Sequence, residues 1–368
     1  MRYPTPRRPR GYGEAVTDQA RDPVADLRRI AFLLERAHEA TYRVRAFRSA
    51  AAAVAKLDEA DLRERAEAGT LKQLPGIGEV TARCVAESLT GEVPVYLRRL
   101  EATAGSSVDE AGSALRALLR GDCHTHSDWS DGGSPIREMA EAARDIGHEY
   151  VVLTDHSPRL TVANGLSADR LRKQLDVVAE LNAELAPFRI LTGIEVDINE
   201  DGSLDQEDEL LAELDLVVAS VHSKLRAPAD VMTKRMLAAI ENPHTDVLGH
   251  CTGRLVTGRE KTGQGKRPES QFDADAVFAA CAERGVAVEI NSRPERLDPP
   301  KRLLRLAVEA GCHFAIDTDA HAPGQLDWQP YGCARAAACG VDPATVINTW
   351  AADDLLAWAG RSASPGRG

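Results

Sequence analysis

Between Gly121 and Gly132 the sequence reads GDCHTHSDWSDG, placing His124, His126, Asp128 and Asp131 in one short segment. Imidazoles one residue apart with carboxylates just behind them are costly to bury unless each finds a partner. A metal ion is such a partner, and the chain repeats the pattern elsewhere. His156 follows the apolar run YVVLTD, and Glu195 lies in RILTGIEVDI. His222 closes LDLVVASVH, His250 closes TDVLGH, and Asp319 and His321 close HFAIDTDAH. A closed structural zinc site needs four ligands. About nine candidates of mixed nitrogen and oxygen type suit a multinuclear catalytic centre.

The elements that must position these residues alternate. Seven β-type runs, counting GDCHTH and VAVEIN, are mostly followed by helical stretches such as SADRLRKQLDVVAELNAEL. Alternating β and α implies a parallel sheet, and this many units suggests an α/β barrel with its site at the C-terminal strand ends. Six of the ten histidines fall at such ends, and His38, His148, His244 and His313 do not. Asp155, Lys224, Arg254 and Asn291 lie beside the ligands at or just past the same ends. The barrel is expected over residues 119–360.

Residues 23–103 read as a small all-α domain. VADLRRIAFLLERAHEA spaces Leu27, Ile30, Leu33 and Leu34 as one helix face. LKQLPGIGEVTARCVAESLTGEV places Gly76 and Gly78 in a tight turn before a helix running from near Glu79 to Gly91. The turn resembles a helix-hairpin-helix motif, in which backbone N–H groups approach a DNA phosphate beside a helix N-terminus. Such contacts hold DNA without reading its sequence. An ordinary turn between core helices is the alternative, and YRVRAFRSA, with Arg43, Arg45 and Arg48, favours DNA. The small polar stretch 104–118 reads as a linker or short connecting helix. Residues 1–22 and 361–368 read as a disordered arm and tail.

The formal charge of −12 excludes non-specific coating of nucleic acid, so any DNA contact must come from a local basic patch. No apolar run spans a bilayer, and the arginines of MRYPTPRRPRGYGE precede no apolar stretch, so no membrane or secretory role is expected. The seven cysteines form no C-x-x-C pair, which fits reduced thiols and a cytoplasmic location.

The segments DCHTHSDWSDG, LTDHS, GIEVDI, SVHSK, LGHCTGRL, EINSRP and DTDAHAP resemble the PHP (polymerase and histidinol phosphatase) family. They are most similar to the C-terminal PHP domain of bacterial family X DNA polymerases. The resemblance implies a distorted seven-stranded (βα) barrel and three divalent transition metals: zinc, manganese or iron. It implies that His124, His126, Glu195 and Asp319 hold one metal, and that Glu195 bridges to a second held by His222 and His250. Asp131, His156 and His321 would hold the third, leaving Asp128 at the surface or behind the ligands. The helical part resembles the same polymerases' helix-hairpin-helix domain, with Arg43 where the family contacts a 5′-phosphate. Cys84 stands where lyase-active relatives carry a Schiff-base lysine, so β-elimination is not expected there. About 20 residues separate the two regions, too few for a polymerase palm, so polymerase activity is not expected either.

The expected chemistry is phosphoester hydrolysis. A bridging water of lowered pKa attacks phosphorus in line, and Lys224 stabilises charge on its oxygens. Asp155 orients a ligand from behind. GREKTGQGKRPES reads as a mobile loop over the mouth, meeting phosphate through Arg254, Lys261 or Lys266. DINEDGSLDQED spaces Asp197, Asn199, Asp201 and Gly202 like a calcium loop, but has Asp208 in the last position and follows a strand, so it reads as a turn. Three functions compete. The first is DNA end processing in repair, as a 3′→5′ exonuclease or 3′-phosphatase. The second is a small-molecule phosphatase of the histidinol-phosphate type, acting on small phosphoesters. The third is a non-catalytic DNA-binding module, which the complete ligand set disfavours. Fold alone does not choose among them.

Overall fold

The computed structural model describes residues 21–103, 109–257 and 265–360. The chain divides into two compact units between Gly105 and Ser106. Lys261, and the proposed arm and tail apart from residues 21 and 22, lie outside the described residues.

The first unit is helical: α1 (Pro23–Arg36), α2 (Thr41–Val54), α3 (Glu59–Glu67), α4 (Glu79–Leu89) and α5 (Val95–Thr103). Asp22 caps α1, accepting the Val24 N–H at 2.8 Å, and Pro23 occupies the first turn, where no backbone donor is needed. Leu27, Ile30 and Leu34 are fully buried, each worth roughly 1.5–3 kcal/mol against exposure. Two polar ties fix the packing. Ser88 on α4 donates to Asp26 on α1 at 2.8 Å. Arg48 on α2 pairs with Glu35 on α1 through two bonds of 3.0 and 2.9 Å.

Arg48, expected in the basic patch, is thus engaged with Glu35 and only partly exposed. Arg45 is exposed. Arg43 is half-buried, bonded to Glu39 and the Tyr96 hydroxyl, both at 2.5 Å. Of the two turn glycines only Gly76 takes a positive φ, 87°, and a Cβ there would meet Ser49 Cβ at 3.2 Å. Gly78 is instead the N-cap of α4, donating its N–H to Thr81 Oγ1 at 2.9 Å. Cys84 is buried, which pushes its thiol up to about 11.

The second unit opens with α6 (Glu110–Arg116), inside the stretch that read as a linker or short connecting helix. Asp109 caps it, and Leu115 joins the core of the barrel. Then follow β1 (Gly121–Thr125), α7 (Ile136–Asp145), β2 (Tyr150–Leu153), α8 (Ala168–Leu185), β3 (Arg189–Asp197), α9 (Asp208–Leu211) and β4 (Leu216–Ser220). After them come α10 (Ala229–Glu241), β5 (Val247–Leu248), α11 (Ala274–Arg284), β6 (Ala287–Asn291), α12 (Lys301–Glu309), β7 (Phe314–Asp317), α13 (Gln329–Ala338) and α14 (Ala352–Trp358). The seven strands are parallel and pair in chain order. Apart from the start of β3 they are almost wholly buried, as a parallel sheet covered by crossover helices must be.

The sheet nearly closes on itself. Between β1 and β7 the ladder is replaced by single contacts: a bridge from Thr125 to Ala320, and the His126 N–H on the Ala320 carbonyl at 2.8 Å. Two buried carboxylates do the rest. Asp317 accepts the Cys123 N–H at 2.8 Å, and Asp122 accepts the Thr318 hydroxyl at 2.5 Å. All seven cysteines are buried and none is in a disulfide. No helix among the described residues is long and apolar enough to cross a membrane.

Candidate metal centre

The C-terminal ends of β1, β2, β4 and β5 converge on one carboxylate on β3. Glu195, fully buried on β3, has five imidazoles around it. Its Oε2 lies 3.2 Å from His124 Nε2, 3.5 Å from His126 Nε2 and 2.9 Å from His156 Nδ1. Its Oε1 lies 3.2 Å from His222 Nε2 and 2.8 Å from His250 Nε2. Burial pushes Glu195 up, but His124, His222 and His156 outweigh it and hold the carboxyl well below its ordinary value. Asp319 reaches His126 at 3.5 Å, and Asp131 reaches His156 at 3.5 Å and His321 at 3.3 Å. The nine residues expected from sequence therefore share one cluster. Its subsets His126–Asp131–His156–His321, His124–His126–Asp319 and His156–Glu195–His222 each bring their ligand atoms within 4.8 Å of one another.

The donor atoms fit cations better than they fit each other. His124 Nε2, both nitrogens of His126, His156 Nδ1, His250 Nδ1 and Glu195 Oε2 are buried without a hydrogen-bond partner. Several lie within salt-bridge distance of a carboxylate, yet not aligned for a hydrogen bond. Polar atoms so placed cost on the order of 1–3 kcal/mol each unless something else satisfies them. Burial, then His321 and His156, push His126 well below its ordinary value, which favours the neutral form that binds a cation.

Local structure explains how these side chains are aimed. After His126 the chain turns back, with the Gly132 N–H on the Ser127 carbonyl at 2.9 Å, to present Asp131. A Cβ on Gly132 would lie 2.6 Å from the Ser127 backbone, so this turn requires glycine. Asp155 holds the turn. It accepts from the Ser127 N–H at 2.8 Å, the Ser127 hydroxyl at 2.6 Å, the Ser130 hydroxyl, and Gln174 at 2.6 Å. Asp155 thus braces a loop; no ligand ring is among these partners. Asp128 is exposed.

Two carboxylates to which the sequence assigned no such role do orient rings. Glu289 on β6 bonds His124 Nδ1 at 2.6 Å and accepts the His250 backbone N–H at 2.5 Å. Asp197 bonds His222 Nδ1. Each stands two residues from a site-facing position on its strand, Asn291 and Glu195, so the period of two was the available signal. Glu289→Gln is expected to lower metal affinity by about 10- to 100-fold, read by chelator competition. Affinity within twofold of wild type would deny it that role.

Arginines were also missed. Arg296 lies 3.0 Å and Arg293 3.5 Å from Asp319. With Arg267 they line a cavity of about 530 Å³ over His156, His222 and His321. Lys224 and Arg254 do not line it. Arg254 donates to the Arg296 carbonyl at 3.0 Å and to the Leu297 carbonyl, supporting the arginine-bearing segment from behind. Lys266 is exposed. The calcium-like loop is a hairpin with Ile198 bridged to Leu204, Gly202 at φ 89°, and Asp197 committed to His222.

Residues 122–293 match the PHP domain family, and residues 19–93 match a helix-hairpin-helix domain family. The DNA polymerase/3′-5′ exonuclease PolX of Bacillus subtilis (strain 168) is 38% identical over 301 residues, 81% of this chain and 50% of that protein. The chain thus spans half the length of that relative. A probable phosphatase of Thermoanaerobacter sp. (strain X514) is 31% identical over 211 residues, 54% of this chain and 78% of that protein. Among solved structures, the histidinol phosphate phosphatase of Lactococcus lactis, complexed with zinc, L-histidinol and phosphate, is 19% identical. Its TM-score is 0.43, and the match covers 61% of this chain and 95% of that one.

Proposed function

Because the chain belongs to the PHP family, we propose that it is a metal-dependent phosphoesterase that processes DNA ends, as a 3′→5′ exonuclease or 3′-phosphatase. One observation carries the choice of substrate: a helix-hairpin-helix unit and a nine-residue cluster of candidate metal ligands occupy the same chain. His124, His126, Glu195 and Asp319 would hold one cation, Glu195 with His222 and His250 a second, and Asp131, His156 and His321 a third. The imidazole and carboxylate donors suit zinc, manganese or iron. Such cations supply Lewis-acid polarisation of a phosphoryl oxygen and a water of lowered pKa.

The chain's own residues do the rest. Glu289 and Asp197 hold His124 and His222 through their Nδ1 atoms, leaving Nε2 to face the centre. Arg267, Arg293 and Arg296 would offer fixed positive charge to the phosphoryl oxygens. Gly76 and the N-terminus of α4 would offer backbone N–H groups to a DNA phosphate, with Arg43 and Arg45 on α2 as the cationic side chains of the same unit.

The second reading is a phosphatase for small phosphoesters, supported by the probable phosphatase among the relatives. Metal-loaded protein assayed side by side on end-labelled DNA and on histidinol phosphate separates the two. Faster turnover of DNA ends is expected; turnover of histidinol phosphate with no DNA cleavage at low salt would reverse the assignment.

A further inference from the structure

We propose that the turn following His156 is a subsite for the base of the terminal nucleotide, a refinement that rests on the DNA-end reading. Leu160 and Val162 line the cavity on this turn, and Val162 is 92% exposed. Scattered exposed apolar residues are ordinary. This one is distinguished by its rigidity and its position.

The turn is held from several sides. The Leu166 N–H donates to the His156 carbonyl at 2.7 Å, and the Gly165 N–H to the Leu160 carbonyl at 3.3 Å. Asn164, at φ 54°, donates to the Trp129 carbonyl at 3.1 Å, and Arg170 donates to the Asn164 carbonyl at 2.7 Å. A Cβ on Gly165 would fall 1.8 Å from the Ser157 carbonyl oxygen, so the chain packs against itself at that point. Val162 therefore stands in water on a fixed support, where it adds nothing to a core.

Its surroundings define the occupant. Arg267, Arg293 and Arg296 line the same cavity, beside Asp131, Glu295 and Asp319. A phosphoester seated with its phosphate on the arginines presents its organic part to the apolar lining. Leu160 and Val162 have no donor or acceptor in their side chains, so they can pack on the face of any base without reading its edge. A trimming enzyme indifferent to sequence needs that property.

The test uses the full-length, metal-loaded protein and oligonucleotides ending either in a normal nucleotide or in an abasic residue. Wild type is expected to prefer base-bearing ends by about tenfold in kcat/KM, nearly equally for all four bases. Val162→Ser should reduce that preference to about twofold. Unchanged metal content in the variant controls for damage to the centre. If DNA is cleaved but wild type ignores the base, or Val162→Ser retains the full preference, the subsite is refuted and the DNA reading stands. If no DNA is cleaved while histidinol phosphate is, both fail together.

Discussion

Glu195→Ala is expected to reduce hydrolysis on the order of a thousandfold or more, and to remove more than one metal per chain. Its two oxygens face five histidines, drawn from four different strand ends. Fully loaded wild type should carry about three metals, as its donor set implies. His321 is more peripheral. Its Nε2 meets Asp131 at 3.3 Å, and its Nδ1 lies 2.8 Å from the Asp319 carbonyl. His321→Ala should therefore lose one metal and keep more activity than Glu195→Ala. Elemental analysis beside a rate measurement decides the matter: equal metal content and equal residual activity in the two variants would sink the central role of Glu195.

Removing residues 1–105 is expected to cut activity on DNA strongly while leaving hydrolysis of a small phosphoester nearly unchanged. The truncation must stop there, because α6 begins at Glu110 and sends Leu115 into the barrel core. Arg43→Ala should reproduce part of the loss, most clearly on DNA with a 5′-phosphate. The guanidinium is already held by Glu39 and Tyr96, so its order costs the complex little. Both defects should shrink as salt rises, since phosphate contacts draw on counterion release. A truncated protein with full DNA activity would remove the helical unit from the mechanism.

The ligands were legible because type and place coincide: histidine or carboxylate where an apolar run ends. Glu289 hid inside VAVEIN, where its function depends on β6 standing beside the strand end that carries His250. Arg254 and Arg296 are both arginines near a strand end, and only the folded chain shows which guanidinium meets carbonyls and which meets the cavity. Arg48 looked like part of a basic patch because its partner, Glu35, lies 13 residues away on another helix. The small residues of TAGSSVDEAGSALR left a linker and a short helix both open, and the cap at Asp109 with buried Leu115 makes part of it a helix. Side-chain direction and long-range pairing, rather than residue type, were what sequence left undetermined.

The seam between β1 and β7 bears on how the protein comes into being. Cys123 and Asp317, joined across it, are 194 residues apart in the chain. His124 and His126 emerge from the ribosome with the first strand, and Asp319 and His321 only after the last. Contacts at such separation form late in folding, and a growing chain lacks them altogether. The set His124–His126–Asp319 therefore exists only in a finished barrel. A chain broken off before the last strand therefore lacks the ligand set that joins it to the first, and carries no complete centre.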